Sequence, residues 1–281
     1  MSHMKGKTVL VTGATAGIGK ETALGIAKLG AHVVIVGRNE AKTKAVVEEL
    51  KTASSNPLID YVLADLSKLS EVRRLAAEFI ARFGRLNVLV NNAGGLNIDR
   101  EVTSDGYELT FAVNHLSYFL LTDLLLPALE KGAPSRIVSV ASDAHRGASV
   151  DFDDLQSARG YISFRAYGRS KLMNILFTRE LALRVASRRI TANCLHPGVV
   201  ASNFMSKPGF KGAVGNFVFS LIGTSPAKGA LTSIYLATSP QVEGVSGKYF
   251  AKLRQLLPSK QAQDDATAKK LWEVSEKLVS A

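Results

Sequence analysis

The stretch TVLVTGATAGIGKETALGIAKL at residues 8–29 decides the fold of this chain. Thr8–Thr12 is a β-branched run that ends at a glycine, as a buried parallel strand does. The loop that follows carries Gly13, Gly17 and Gly19, and the next segment has the composition of a helix. A strand, a glycine-rich loop and a helix in this order bring backbone N–H groups and a helix N-terminus to a phosphate. We therefore expect a phosphate-binding loop, although its glycine spacing differs from the common G-x-G-x-x-G.

The second strand pattern, His32–Gly37, is followed by Arg38 and Asn39. At this place a chain that binds NAD offers an Asp or Glu to the adenosine ribose hydroxyls. A guanidinium suits the 2′-phosphate of NADP instead. The pattern favours NADP(H), with NAD(H) as the other option. The alternative for Arg38 is that it only caps the sheet edge.

Strand and helix patterns alternate along the rest of the chain. Five further strand-like runs occupy residues 58–63, 86–90, 136–141, 191–196 and 247–250. We predict an α/β fold over residues 5–281: a single doubly wound Rossmann domain. Its mostly parallel, seven-stranded sheet has the order 3-2-1-4-5-6-7 and carries helices on both faces. Residues 1–4 (MSHM) are expected to be an expression-tag remnant.

Four polar residues are candidates for catalysis. Tyr167 and Lys171 lie four residues apart in AYGRSKLMNIL at 166–176, so a helix places them on one face. An ammonium beside a phenol favours the phenolate, although the same spacing also occurs on ordinary solvated helices. Ser142 follows the fifth strand. Asn114 is an amide among apolar helix residues, either a satisfied structural side chain or one that holds a water for proton transfer.

Composition restricts the classes of protein. The chain has 35 Lys and Arg against 24 Asp and Glu, a formal net charge of +11. The densest basic cluster, Arg184–Arg189, has no interleaved aromatic residues, so a dispersed basic surface is favoured over nucleic-acid binding. The single cysteine, Cys194, suits a reducing compartment. We find no signal peptide, no run of about 18 apolar residues and no metal-ligand cluster, and expect a cytoplasmic chain without a transmembrane segment or a metal.

Residues 199–225 differ in character from the rest. The part from 212 to 227 has no charged residue and is rich in Phe, Val, Leu and Gly. An apolar segment after the sixth strand predicts a lid over a hydrophobic substrate. A core helix and a membrane-surface contact are the alternatives.

Five motifs occur in one order: TGATAGIG at 12–19, NNAG at 91–94, Ser142, YGRSK at 167–171 and HPGVV at 196–200. Together they resemble those of the short-chain dehydrogenase/reductase family. Three stretches resemble its retinol-dehydrogenase branch: VDFDDLQ at 150–156, AYGRSKLMNILFTRELA at 166–182 and LWEVSEKL at 271–278. Animal members of that branch often carry an N-terminal membrane anchor, which is not recognised here, so a soluble relative is expected.

The resemblance implies roles for the four polar residues. Tyr167 would be the general acid in reduction and the base in oxidation, with its pKa lowered by Lys171 and by the positive nicotinamide. Lys171 would also bind the ribose hydroxyls. Ser142 would hydrogen-bond the substrate oxygen, and Asn114 would hold a water that links Lys171 to solvent.

The resemblance also implies the residues that contact the cofactor. They are Gly13, Thr15, Ala16, Gly17, Ile18, Gly19, Arg38, Asn39, Asp65, Leu66, Asn92, Ala93, Gly94, Tyr167, Lys171, Pro197, Gly198 and Val200. Members that prefer NADP often have a basic residue just before the second glycine, where this chain has Ala16. Arg38 is therefore the main expected contact to the 2′-phosphate.

The function that follows is an NADP(H)-dependent oxidoreductase acting on an apolar alcohol, aldehyde or ketone. The alternative is a catalytically silent regulator that binds NADP. Relatives often pair through the helices of Asn114 and Tyr167, while others are monomers, so a homodimer, a homotetramer and a monomer all stay open.

Overall fold

The computed structural model describes residues 3–198 and 224–280. The strands are β1 (Thr8–Thr12), β2 (His32–Gly37), β3 (Ile59–Leu63), β4 (Val88–Asn91), β5 (Ser135–Val140), β6 (Ile190–His196), β7 (Tyr249–Ala251) and β8 (Arg254–Leu256). The main helices are α1 (Gly17–Lys28), α2 (Glu40–Ser54), α3 (Leu69–Phe83), α4 (Leu109–Lys131), α5 (Ser163–Arg184), α6 (Pro226–Thr238) and α7 (Asp265–Ser280).

The sheet has the order β3-β2-β1-β4-β5-β6-β7-β8. The first seven strands are parallel and lie in the predicted order, which confirms the doubly wound fold. The sequence analysis missed β8, which pairs antiparallel with β7. Lys252 and Leu253 join the two strands with positive φ angles of 50° and 63°, as a tight hairpin turn requires. All three residues of β8 are exposed, so it carries no alternating pattern that a sequence could reveal.

Helices cover both faces of the sheet. On one face α3, α4 and α5 bury a cluster that includes Phe79, Leu121 and Leu176. On the other face α1, α2 and α6 bury a second cluster, which includes Ile26 and Leu236. The aliphatic strands supply side chains to both clusters, as strands buried on two sides do.

The long helix α4 departs from the prediction in two ways. Its first turns include a π-helical segment, Ala112–Leu116, that the sequence analysis did not foresee. By length and composition alone the helix would be able to cross a membrane, although no such stretch was expected. Core helices pass the same test, and most of α4 is buried inside the molecule. It is therefore weak evidence for a membrane span.

Candidate active site

Helix α5 brings Tyr167 and Lys171 together at the carboxyl edge of the sheet. Both side chains are buried, and the Lys171 Nζ lies 5.5 Å from the centroid of the Tyr167 ring. The ammonium donates a hydrogen bond to the Val140 carbonyl oxygen at 2.9 Å, at the end of β5. The predicted shared face is thus present, but it points into the protein rather than to solvent.

Ser142 lies at the end of β5, facing Tyr167. A hydrogen bond joins its hydroxyl to the phenol. The Ser142 Oγ also accepts a hydrogen bond from the Ala144 backbone N–H at 3.2 Å, which orients the hydroxyl. The structure therefore places the predicted oxygen-binding group directly beside the predicted proton donor.

Burial shifts the pKa values of Tyr167 and Lys171 in opposite directions. It raises the pKa of the Tyr167 phenol above its ordinary value, and the hydrogen bond to Ser142 opposes the shift only partly. It lowers the pKa of Lys171 to about 7. The sequence analysis expected Lys171 and the bound nicotinamide to lower the pKa of the phenol; in the protein alone, burial raises it.

Asn114 belongs to the π-helical segment of α4 and is fully buried. Its Nδ2 donates to the Gly95 carbonyl oxygen at 3.0 Å and to the Ser170 Oγ at 2.9 Å. Its Oδ1 accepts from the Gly95 N–H at 3.0 Å. The amide thus ties the loop after β4 to α5, which fits the structural alternative. Its role in holding a water stays a prediction.

The glycine loop packs so closely against neighbouring backbone that no side chain fits at two of its glycines. A Cβ on Gly13 would lie 2.7 Å from the Ala93 Cα, and one on Gly19 would lie 2.4 Å from the Gly13 carbonyl oxygen. Gly13 and Gly17 have positive φ angles of 63° and 56°. The N-cap residue of α1, Ala16, offers no side-chain cap, and the first turn has no acidic residue. This helix N-terminus therefore suits an anion such as a pyrophosphate.

The loop after β4 closes the other side of this cradle. The Asn92 Nδ2 donates to the Thr12 carbonyl oxygen at 2.8 Å, so this predicted contact residue also fastens the glycine loop. A Cβ on Gly94 would lie 2.8 Å from the Asn114 Oδ1 and 3.5 Å from the Lys171 Nζ. The NNAG motif thus meets both predicted catalytic helices, and only glycine fits at its end.

Arg38 and Asn39 differ in what they contact. The Asn39 Oδ1 accepts from the Lys42 N–H at 2.9 Å and caps α2. The Arg38 side chain is exposed and has no ion-pair or hydrogen-bond partner among the described residues. A Cβ on the preceding residue, Gly37, would lie 2.5 Å from the Thr15 side-chain methyl. The backbone just before Arg38 therefore packs closely against the glycine loop.

The remaining predicted contacts lie at neighbouring strand ends. The Asp65 Oδ1 accepts from the Ser67 hydroxyl at 2.7 Å, and Leu66 belongs to the core. Pro197 and Gly198 follow β6, and Gly198 has a positive φ of 89°. Val200 and nearly all of the predicted lid, residues 199–223, lie outside the described residues.

Two residues near the site, His145 and Tyr118, make contacts that the sequence analysis did not foresee. His145 donates from Nδ1 to the Ser142 carbonyl oxygen at 2.7 Å and accepts at Nε2 from the Ser259 N–H at 3.0 Å. It thus ties the Ser142 loop to the segment before α7. Tyr118 lies one turn after Asn114 on α4, and its ring faces Lys171 at 5.9 Å. The i, i+4 spacing from Asn114 was the available signal for Tyr118, hidden in an apolar stretch.

Across residues 3–198 and 224–280, no group of three or more His, Cys, Asp and Glu side chains has the arrangement of a metal site. The residues present are compatible with a dinucleotide: the uncapped N-terminus of α1 suits its pyrophosphate, and Lys171 and Arg38 supply positive charge. The predicted contacts of Lys171 to the ribose and of Arg38 to the 2′-phosphate stay predictions.

Comparison with known proteins gives a consistent result. The family model for short chain dehydrogenase matches residues 7–210. Human retinol dehydrogenase 14 is 43% identical, over 98% of this chain and 87% of that protein. A crystal structure of an uncharacterised protein from Mycobacterium paratuberculosis is similar with a TM-score of 0.80 and 29% identity, covering 99% of this chain and 95% of that one. A structure described as an NAD(P)-dependent gluconate 5-dehydrogenase from Beutenbergia cavernae, with NADP bound at low occupancy, has a TM-score of 0.69 and 27% identity, covering 89% and 96%.

Proposed function

The chain belongs to the short-chain dehydrogenase family, and we propose that it is an NADP(H)-dependent oxidoreductase of the retinol-dehydrogenase type. It would transfer a hydride between the nicotinamide and an apolar alcohol, aldehyde or ketone. The observation that carries the proposal is the cluster of a half-buried Ser142 with the buried Tyr167 and Lys171 at the carboxyl ends of the strands. The similarity to human retinol dehydrogenase 14, whose name denotes an apolar alcohol, supports an apolar substrate.

The side chains divide the chemistry between them. The nicotinamide supplies or accepts the hydride. Ser142 holds the substrate oxygen by a hydrogen bond and stabilises the charge that develops there. Tyr167 gives that oxygen a proton in reduction and removes it in oxidation. Burial keeps the phenol protonated in the protein alone, which suits it to donate. Lys171 stays beside the phenol and supplies the positive charge.

Substitution of Tyr167 tests the proposal. Tyr167→Phe removes the proton donor and leaves the ring, so turnover of NADPH with apolar aldehydes should fall by 10²-fold or more, the typical contribution of general acid–base catalysis. Binding of NADPH, followed by the quenching of protein fluorescence, should be nearly unchanged. Tyr235→Phe, on α6 on the opposite face of the sheet, is the control and should keep full activity. Turnover in Tyr167→Phe equal to that of the wild type would refute the assignment.

Cofactor preference is tested at Arg38. A guanidinium bonded to a phosphate contributes about 1.5–3 kcal/mol, so Arg38→Asp should weaken NADPH binding by about 10-fold to 100-fold. NADH binding should improve or stay the same, because NADH lacks the 2′-phosphate. Titration of both cofactors by calorimetry measures this, with Lys28→Asp at the far end of α1 as a charge-matched control. An unchanged ratio of the two affinities would show that Arg38 does not select the cofactor.

The silent-regulator alternative is not favoured, because a sensor needs neither the Ser142–Tyr167 hydrogen bond nor a buried lysine. A substrate panel of apolar aldehydes, ketones and alcohols with both cofactors decides between them. A cytoplasmic location belongs to the same proposal and rests on the single, buried Cys194. Fractionation of cells that express the chain tests the location independently of activity.

A further inference from the structure

The Lys171 ammonium is buried without an opposite charge beside it. The side chain is 3% exposed, and its Nζ donates one hydrogen bond, to the neutral Val140 carbonyl oxygen. No carboxylate in residues 3–198 and 224–280 forms an ion pair with it. A cation held in such a place loses its hydration and needs another source of stabilisation to remain charged.

Two phenol rings flank this ammonium. The centroid of the Tyr167 ring lies 5.5 Å from Nζ, and that of the Tyr118 ring lies 5.9 Å away. Both distances fall within the roughly 6 Å over which the face of an aromatic ring attracts a cation. The two rings come from different helices, Tyr167 from α5 and Tyr118 from α4. Tyr167 changes its protonation during the proposed reaction, so Tyr118 is the ring whose attraction stays constant.

The other groups around the ammonium carry no charge. Gly94 comes from the loop after β4, and Asn114 comes from the π-helical segment of α4. The titratable groups that face Lys171 are therefore Tyr167 on its own helix and Tyr118 on α4. Burial, together with the nearby Tyr167, raises the pKa of the Tyr118 phenol well above its ordinary value, so Tyr118 stays neutral.

The Tyr118 hydroxyl does not explain the position of the side chain. The residue is 1% exposed, and its hydroxyl has no hydrogen-bond partner among the described residues. Phenols that are buried usually find a partner, so a packing reason alone would favour phenylalanine here. What the side chain does contribute is the face of its ring to the ammonium.

We propose that Tyr118 is a positioning residue, whose buried ring holds the Lys171 ammonium charged and in place beside Tyr167. The inference rests on the proposed function for the task of Lys171 in the reaction. The contact itself does not depend on that function. Loss of the ring should therefore make Lys171 lose its proton at lower pH, whether or not a cofactor is bound.

The experiment is an NMR titration of the Lys171 side chain in protein labelled with ¹³C at the lysine Cε, without cofactor, with the signal assigned by Lys171→Arg. Tyr118→Phe keeps the ring and removes the hydroxyl, so the midpoint should match that of the wild type. Tyr118→Leu removes the ring, and the midpoint should fall by about half a pH unit or more, up to about 1.5 units for a fully desolvated cation–π contact. A wild-type midpoint in Tyr118→Leu would overturn the proposal, and so would equal shifts in both variants.

A second pair of proteins tests the proposal independently of whether the leucine variant folds. Phenylalanine and trifluorophenylalanine, incorporated at position 118, have nearly the same shape, but fluorine weakens the negative face of the ring. The fluorinated protein should titrate at lower pH than the phenylalanine protein, and equal midpoints would overturn the proposal. The high-pH limb of kcat/KM for NADPH should shift in the same direction. A shifted titration together with full activity of Tyr167→Phe would leave this proposal standing and remove the proposed function.

Discussion

His115, the neighbour of Asn114 in the π-helical segment, is fully buried among aromatic side chains. Its Nε2 lies 2.8 Å from the Ser275 Oγ on α7, and its ring stacks on Phe111 with centroids 5.7 Å apart. Burial lowers the pKa of the imidazole to about 4. The native state therefore accepts only the neutral form of His115, whereas the unfolded chain binds a proton near pH 6.5.

This residue should make the protein sensitive to acid. The folded-state pKa of His115 lies below 6.5. The neutral side chain therefore contributes its full stabilisation of the fold above pH 6.5, and this contribution is lost as the pH falls through about 4. Between pH 7 and pH 5 we expect His115 to account for a loss of about 2 kcal/mol in the free energy of unfolding. Urea unfolding at both pH values, compared between the wild type and His115→Gln, measures this.

The comparison isolates one histidine. His145 and His196, whose pKa values burial also lowers, remain in both proteins and contribute equally. Glutamine does not titrate in this range and keeps a polar group within reach of Ser275. An equal loss of stability in the two proteins between pH 7 and pH 5 would show that His115 is not the sensitive group.

At the scale of elements, local pattern and long-range packing account for different parts of the molecule. The β-branched runs and the glycine loop predicted seven strands and their doubly wound arrangement, because these features reflect burial on both faces of a parallel sheet. The π-helical segment was not predictable, since the residues within it and after it are buried on nearly every side and show no sharp hydrophobic stripe whose shift would reveal it. It nevertheless shapes the helix face that carries Asn114 and His115.

The same division applies to the candidate site. The four-residue spacing predicted that Tyr167 and Lys171 share a helix face, because that relation is local. The raised pKa of Tyr167 in the protein alone was not foreseen, since burial of the phenol depends on packing between residues far apart in sequence. Tyr118 was missed for a related reason: an aromatic residue in an apolar helix is ordinarily core. Only the fold shows that its ring faces an ammonium.

At the scale of the whole molecule, α7 packs against α4 and α5, the two helices through which the sequence analysis considered pairing. Trp272 stacks on Phe177 of α5 with centroids 5.8 Å apart and meets the edge of Phe119 of α4 at 4.7 Å. The Arg184 guanidinium lies 4.4 Å from the Trp272 ring, and the Tyr107 hydroxyl donates to the Leu278 carbonyl oxygen at 2.7 Å. A second copy would have to displace α7 to reach this face. Among the oligomeric options, we therefore expect no pairing through α4 and α5.

Removal of α7 should change the association of the chain. A variant that lacks residues 265–281 exposes Phe119 and Phe177, each 2% exposed in the complete fold, and an apolar face of this kind is typical of protein interfaces. Multi-angle light scattering should show a larger mass per particle than for the full chain, and Tm should fall because the aromatic cluster is lost. Leu257→Ser, at an already exposed leucine, is the control and should change neither quantity. If the truncated chain has the same number of chains per particle and the same Tm as the full chain, α7 neither shields this face nor stabilises the fold.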